Sequence, residues 1–113
     1  MSAPEITSAT TAATTTGHRL GPVDQVPVGE GRAFAVAGEQ VAVFRLRDGA
    51  LRATAARCPH GGGPLADGQL DPRGVVCPLH LRAFSFADGS CAEGAGVRVF
   101  PAGVVDGEIV VEL

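Results

Sequence analysis

Two short segments carry thiol and imidazole side chains at spacings that suit a metal: Cys58-Pro59-His60 and Cys77-Pro78-Leu79-His80, with sixteen residues between His60 and Cys77. Each gives one soft sulfur and one borderline nitrogen, and brought together they make a four-ligand site. Structural zinc sites commonly draw their thiolates in pairs from a tight Cys-x2-Cys knuckle. One Cys and one His in each half suits instead a two-metal centre whose ends differ.

Both half-sites lie in segments that read as loops. The first runs from Cys58 to Leu70 through Gly61-Gly62-Gly63-Pro64 and Asp67-Gly68, the second from Cys77 to Ala83 through Pro78, and the two are expected to face each other. Arg73 to Val76 reads as a strand that delivers the second loop, with Leu70 as its hairpin partner across Asp71-Pro72-Arg73-Gly74.

The elements that position these loops are strands. From His18 onward Gly and Pro cut the chain into short alternating or β-branched pieces, among them Phe34 to Ala37, Val41 to Leu46 and Val97 to Phe100. Gly38-Glu39, Asp48-Gly49, Asp88-Gly89 and Asp106-Gly107 mark four hairpin points. The segments Val97 to Pro101, Gly103 to Asp106 and Glu108 to Leu113 complete the pattern, and a two-residue connection at Asp106-Gly107 is too short for a parallel crossover. The expectation is an all-β fold, an antiparallel sandwich or barrel with few helices.

At 113 residues the chain suits one domain with a modest core. Apolar residues make up 45% and charged residues 19%, with a net charge of −3, which describes a soluble acidic globule without the basic excess that nucleic-acid or anionic-membrane binding needs. No apolar run approaches the roughly 20 residues that span a bilayer. Met1 to Gly17 is Thr- and Ala-rich, has no arginine before Arg19, and lacks the charged and apolar regions of a secretory signal. It is expected to be a disordered tail ahead of a single domain from residue 18 to 113, with the cytoplasm as the default compartment.

The spacing Cys58-x-His60, sixteen residues, Cys77-x-x-His80, with the flanks Cys58-Pro-His-Gly-Gly-Gly-Pro-Leu65 and Cys77-Pro-Leu-His80, resembles the Rieske signature. The resemblance runs from about Leu20 to Leu113. It implies a [2Fe-2S] cluster, one per chain, with Cys58 and Cys77 on one iron and His60 and His80 on the outer iron, since a Rieske centre places two histidines on one of its two irons. The implied function is one-electron transfer to and from partner proteins, with no substrate pocket in the chain itself.

Within that family the chain is similar to the small subunit of NAD(P)H-dependent nitrite reductases, through Cys77-Pro-Leu-His-Leu-Arg-Ala-Phe-Ser-Phe-Ala-Asp-Gly-Ser-Cys91. The ferredoxin components of aromatic-ring dioxygenase systems are the competing resemblance; they more often carry Gly and then Trp or Tyr where this chain has Leu81 and Arg82. A Rieske domain cut from an oxygenase catalytic subunit is a third, limited by length. A different class keeps the fold without redox chemistry, as a zinc-stabilised β interaction module.

Other residues have ordinary readings. Cys91 reads as a small buried hydrophobe, and His18 as a strand-edge side chain. Gly61 to Gly63 lack the following helix and Lys of a phosphate loop, so they read as backbone packed near the metal. Pro64-Leu65, Pro78-Leu79 and Leu81 would shield the cluster. Arg57, Arg73 and Arg82, in a chain without lysine, would form a local positive rim for an acidic redox partner.

Departures from the high-potential relatives set an expectation for the potential. By the resemblance, the two extra cysteines that form a disulfide in respiratory and photosynthetic Rieske proteins correspond to Gly63 and Leu79, and their Ser and Tyr hydroxyls correspond to Arg82 and Phe84. Hydrogen bonds to sulfur stabilise the more negative reduced cluster, so their absence lowers the potential. Voltammetry is expected to give a value below about 0 mV, within a Rieske range of roughly −150 to +300 mV; a value above about +150 mV contradicts the assignment of these positions.

Overall fold

The computed structural model describes residues 17–59, 62–79, 81–92 and 94–113. Apart from Gly17, the expected tail lies outside the described residues, as do His60, His80, Gly61 and Glu93.

Among the described residues ten strands form three antiparallel sheets, confirming the expected all-β class. The central sheet has four strands in the order β2–β3–β4–β8: β2 (Gly31–Val36), β3 (Glu39–Arg45), β4 (Leu51–Ala55) and β8 (Val99–Phe100). A terminal sheet orders β1 (Gly17–Pro22), β10 (Glu108–Glu112) and β9 (Ala102–Val105). The third sheet orders β5 (Gln69–Asp71), β6 (Gly74–Val76) and β7 (Ala83–Ser85). Short 3-10 turns occupy Val23–Gln25 and Leu65–Asp67.

β3 explains the layering. Successive strand residues face opposite sides, and Val41, Ala42, Val43 and Phe44 are all fully buried. Val41 and Val43 pack with Ile109 and Val111 of the terminal sheet, whereas Ala42 and Phe44 pack with Val75 and Phe84 of the third sheet and with Cys58 and Cys77. The central sheet thus has two cores, one on each face. The second is the floor of the cysteine loops.

Three of the four expected hairpins form, with local adjustments. Asp106 and Gly107 take φ of 54° and 78°, joining β9 to β10 with Val105 paired to Glu108, as a type I′ turn requires. In the β2–β3 hairpin the loop residues are Ala37 and Gly38, one position earlier than Gly38-Glu39, because Glu39 pairs with Val36. Asp71 and Gly74 close β5 on β6, the Asp71 carboxylate accepting from the Arg73 and Gly74 backbone N–H groups at 2.7 and 2.9 Å. Asp88-Gly89 is a turn after β7 and not a hairpin between named strands. There the Ser90 backbone N–H, donating to Asp88 Oδ1 at 2.9 Å, holds the carboxyl below its ordinary value. What that bond adds to stability is present at neutral pH and is lost as pH falls through the lowered value.

Two connections become the cysteine loops: β4 to β5, and β6 to β7. The first loop returns to β6 at Gly68, where a Cβ would stand 2.3 Å from the Val76 carbonyl oxygen, immediately before Cys77. Gly68→Ala must therefore separate the two segments. The expected cost is about 2–3 kcal/mol, a fall in melting temperature on the order of 10 °C; a circular-dichroism melt matching the parent would contradict this packing.

Candidate metal centre

Cys58 and Cys77 are buried to 1% and 0% exposure, in one core with Leu65, Val75, Phe84 and Phe86. A thiolate in such surroundings is costly unless a cation compensates it, so burial of both sulfurs at the mouth of two facing loops suits a metal.

The two loops are bent by the same backbone scheme. Gly62 N–H donates to the Cys58 carbonyl at 2.8 Å and Cys58 N–H to the Gly63 carbonyl at 2.9 Å. In the second loop Leu81 N–H donates to the Cys77 carbonyl at 2.9 Å and Cys77 N–H to the Arg82 carbonyl at 2.8 Å. Each Cys thus accepts from the residue four later and donates to the residue five later. The position four later takes a left-handed backbone in both, φ 76° at Gly62 and 56° at Leu81. Glycine adopts it without cost; for leucine it costs about 1–2 kcal/mol.

The loops meet at Gly63. A Cβ there would lie 2.9 Å from Cys77 Sγ and 3.2 Å from both Cγ and Cδ1 of Leu79. The backbone of the first loop therefore lies against the sulfur of the second, and Gly63 and Leu79, matched in the sequence to the disulfide positions of high-potential relatives, are spatial neighbours. Two buried sulfurs and a side-chain-free approach between the loops fit an iron–sulfur cluster. Cys58 and Cys77 would hold it on the protein side, and the cluster supplies a reversible one-electron change.

Other expectations resolve unevenly. His60 and His80 lie outside the described residues, and among the described residues no three or more His, Cys, Asp or Glu side chains gather. Phe84, matched in the sequence to a hydroxyl-bearing position of high-potential relatives, is buried to 1% exposure in the core that holds both cysteines. Leu65 is fully buried there too, but Leu79 and Leu81 are 62% and 77% exposed. Arg57 is exposed over the first loop, its Nη1 3.7 Å from where a Gly62 Cβ would stand. Arg73 sits in the β5–β6 turn, at the far end of β6 from Cys77, so the arginine rim is not continuous. Cys91 packs half-buried against the same core, and His18 lies in β1 opposite Val111. The sequence offered no sign of the left-handed, exposed Leu81; only the second loop's closing hydrogen bonds show it.

The fold and the paired loops define a β domain with two buried sulfurs where its loops meet, a setting that suits a metal centre. A model of the Rieske [2Fe-2S] domain matches residues 17–101. The anthranilate 1,2-dioxygenase ferredoxin subunit of Burkholderia cepacia is 34% identical over 99 residues, spanning 85% of this chain and 91% of that protein. A protein assigned as the small subunit of an NADH-dependent nitrite reductase from Mycobacterium tuberculosis superposes with a TM-score of 0.81 at 30% identity, over 88% of this chain and 96% of that one. A chain from the complex of reduced oxygenase and oxidised ferredoxin in carbazole 1,9a-dioxygenase gives a TM-score of 0.72 at 29% identity, over 84% and 91%.

The chain belongs to the Rieske [2Fe-2S] domain family. It is an electron-transfer protein with one such cluster, which displaces the zinc-module alternative.

Two substitutions test the site. Gly63→Ala must push on Cys77 Sγ or Leu79, and is expected to lower iron and sulfide content per chain while circular dichroism still shows the β fold; full cluster content would contradict the close approach. Phe84→Tyr would supply a hydroxyl in the core that holds Cys58 and Cys77. A hydrogen bond of about 1 kcal/mol to the reduced state raises a one-electron potential by about 40 mV, and a potential unchanged by the substitution contradicts the role given to Phe84.

Proposed function

We propose that the protein is the small electron-transfer component of a nitrite reductase system in the cytoplasm, with Cys58 and Cys77 on one iron of its cluster and His60 and His80 on the outer iron. The observation that carries this reading is the near-complete superposition on the nitrite reductase small subunit. It agrees with the run from Cys77 to Cys91.

The chain's own residues give the site a direction. Cys58, Cys77, Leu65 and Phe84 close the inner side against the central sheet. Leu79 and Leu81 leave apolar surface on the outer side, where a partner protein can exclude water and shorten the electron's path. Among the described residues no helix is long and apolar enough to cross a membrane.

The second reading, a ferredoxin component of an aromatic-ring dioxygenase system, is favoured by the anthranilate dioxygenase relative, which matches over 91% of its own length. Both readings make the protein a one-electron carrier between a reductase and a terminal oxidoreductase, and they differ in the acceptor.

Anaerobic stopped-flow mixing of the dithionite-reduced protein with two acceptors decides between them. The nitrite reductase large subunit of Mycobacterium tuberculosis is expected to reoxidise the cluster, with nitrite-dependent turnover rising as this protein is added. Reoxidation only by the oxygenase component of the anthranilate system would establish the second reading; reoxidation by neither overturns both.

A further inference from the structure

Leu81 is 77% exposed, more than any other large hydrophobic residue described, and it holds a left-handed backbone at φ 56°. Its counterpart in the first loop, with the same two hydrogen bonds around it, is Gly62. Glycine at that position would close the second loop without strain, and the leucine side chain recovers nothing by burial. Leu79, in the same loop, is 62% exposed and lies against Gly63. Both leucines thus leave apolar surface on the second loop, and the exposed Arg57 guanidinium reaches Gly62 of the first, with no ion pair among the described residues.

From this arrangement we infer that Leu81 is the selectivity contact of the protein, an apolar anchor held out by its backbone to enter the face of a redox partner whose apolar patch is bordered by carboxylates. The inference rests on the reading that electrons leave through the two-loop end, and names the kind of surface that end fits. The charge pattern selects the partner. The chain carries a net charge of −3, so an acidic partner is repelled by most of this protein and attracted where Arg57 is unopposed, which turns the loop end toward it. Buried at the centre of that contact, a leucine has far more effect on affinity than one on the rim.

Gold surfaces bearing a mixed monolayer of methyl- and carboxylate-terminated alkanethiols stand in for the partner, so the result does not depend on which acceptor is the natural one. Binding of the cluster-loaded protein is read by quartz microbalance, electron exchange by voltammetry on the same surface, and folding by thermal melting. Leu81→Gly and Leu81→Ala are expected to weaken binding by about tenfold and to slow electron exchange, with the potential unchanged. Leu81→Gly, relieved of strain, melts at the parent temperature or higher. Arg57→Gln is expected to weaken binding at low salt and to make little difference at high salt.

Parent-like binding of both Leu81 variants overturns the inference. So does weaker binding of Leu81→Gly together with a lower melting temperature, because Leu81 would then be holding the loop. Sedimentation showing a parent dimer that Leu81→Gly converts to monomer also overturns it, by assigning the surface to a second copy of the chain. Failure of both acceptors in the reoxidation experiment leaves these readouts unaffected.

Discussion

The first cysteine loop can close on the second only where Gly63 has no side chain, since a Cβ there would stand 2.9 Å from Cys77 Sγ. That approach governs the functional end. It draws the Cys58 backbone, bonded to the Gly63 carbonyl, toward the second loop, and it seats Leu79 over the junction. With no room for a side chain at Gly63, the loops are joined by packing and by whatever both bind. Holding a cluster is therefore also a structural act here, because metal binding free energy adds to the free energy of keeping the loops together.

The rest of the fold makes that closure possible. Strand β3 is buried on both faces, and its alternating residues divide the interior into a core that fastens the chain termini and a core that carries the cysteines. The small β5–β6–β7 sheet has strands of three residues each and could not persist alone. It is held by Val75 and Phe84 packing under β3. A buried inner side and an exposed outer loop suit an electron carrier, whose cofactor must be held in place and remain within reach of a partner.

The sequence was legible where local chemistry is strong. Asp106-Gly107 and Asp71-Pro72-Arg73-Gly74 carry their turn preferences within four residues, and the two loops expected to face each other do meet, with Cys58 and Cys77 buried in one core. Leu51–Ala55 and Ala83–Ser85 announce no strand; pairing with β3 and β6 makes them strands. Asp88-Gly89 looks like a hairpin point, yet the Gly89 carbonyl accepts from Val97 N–H and leads into a connection between sheets. Leu81 misleads for a similar reason. Beside a ligand, leucine reads as a shield, and only the bond to the Cys77 carbonyl sets its backbone left-handed and leaves its side chain outside.

The proposed cluster has two sulfur and two imidazole ligands, and pulsed EPR of the anaerobically reduced protein labelled with 15N-histidine measures that directly. Hyperfine couplings from two imidazole nitrogens are expected, with one lost in His60→Cys and one in His80→Cys. A reduced cluster that shows no histidine nitrogen coupling would contradict this ligand set.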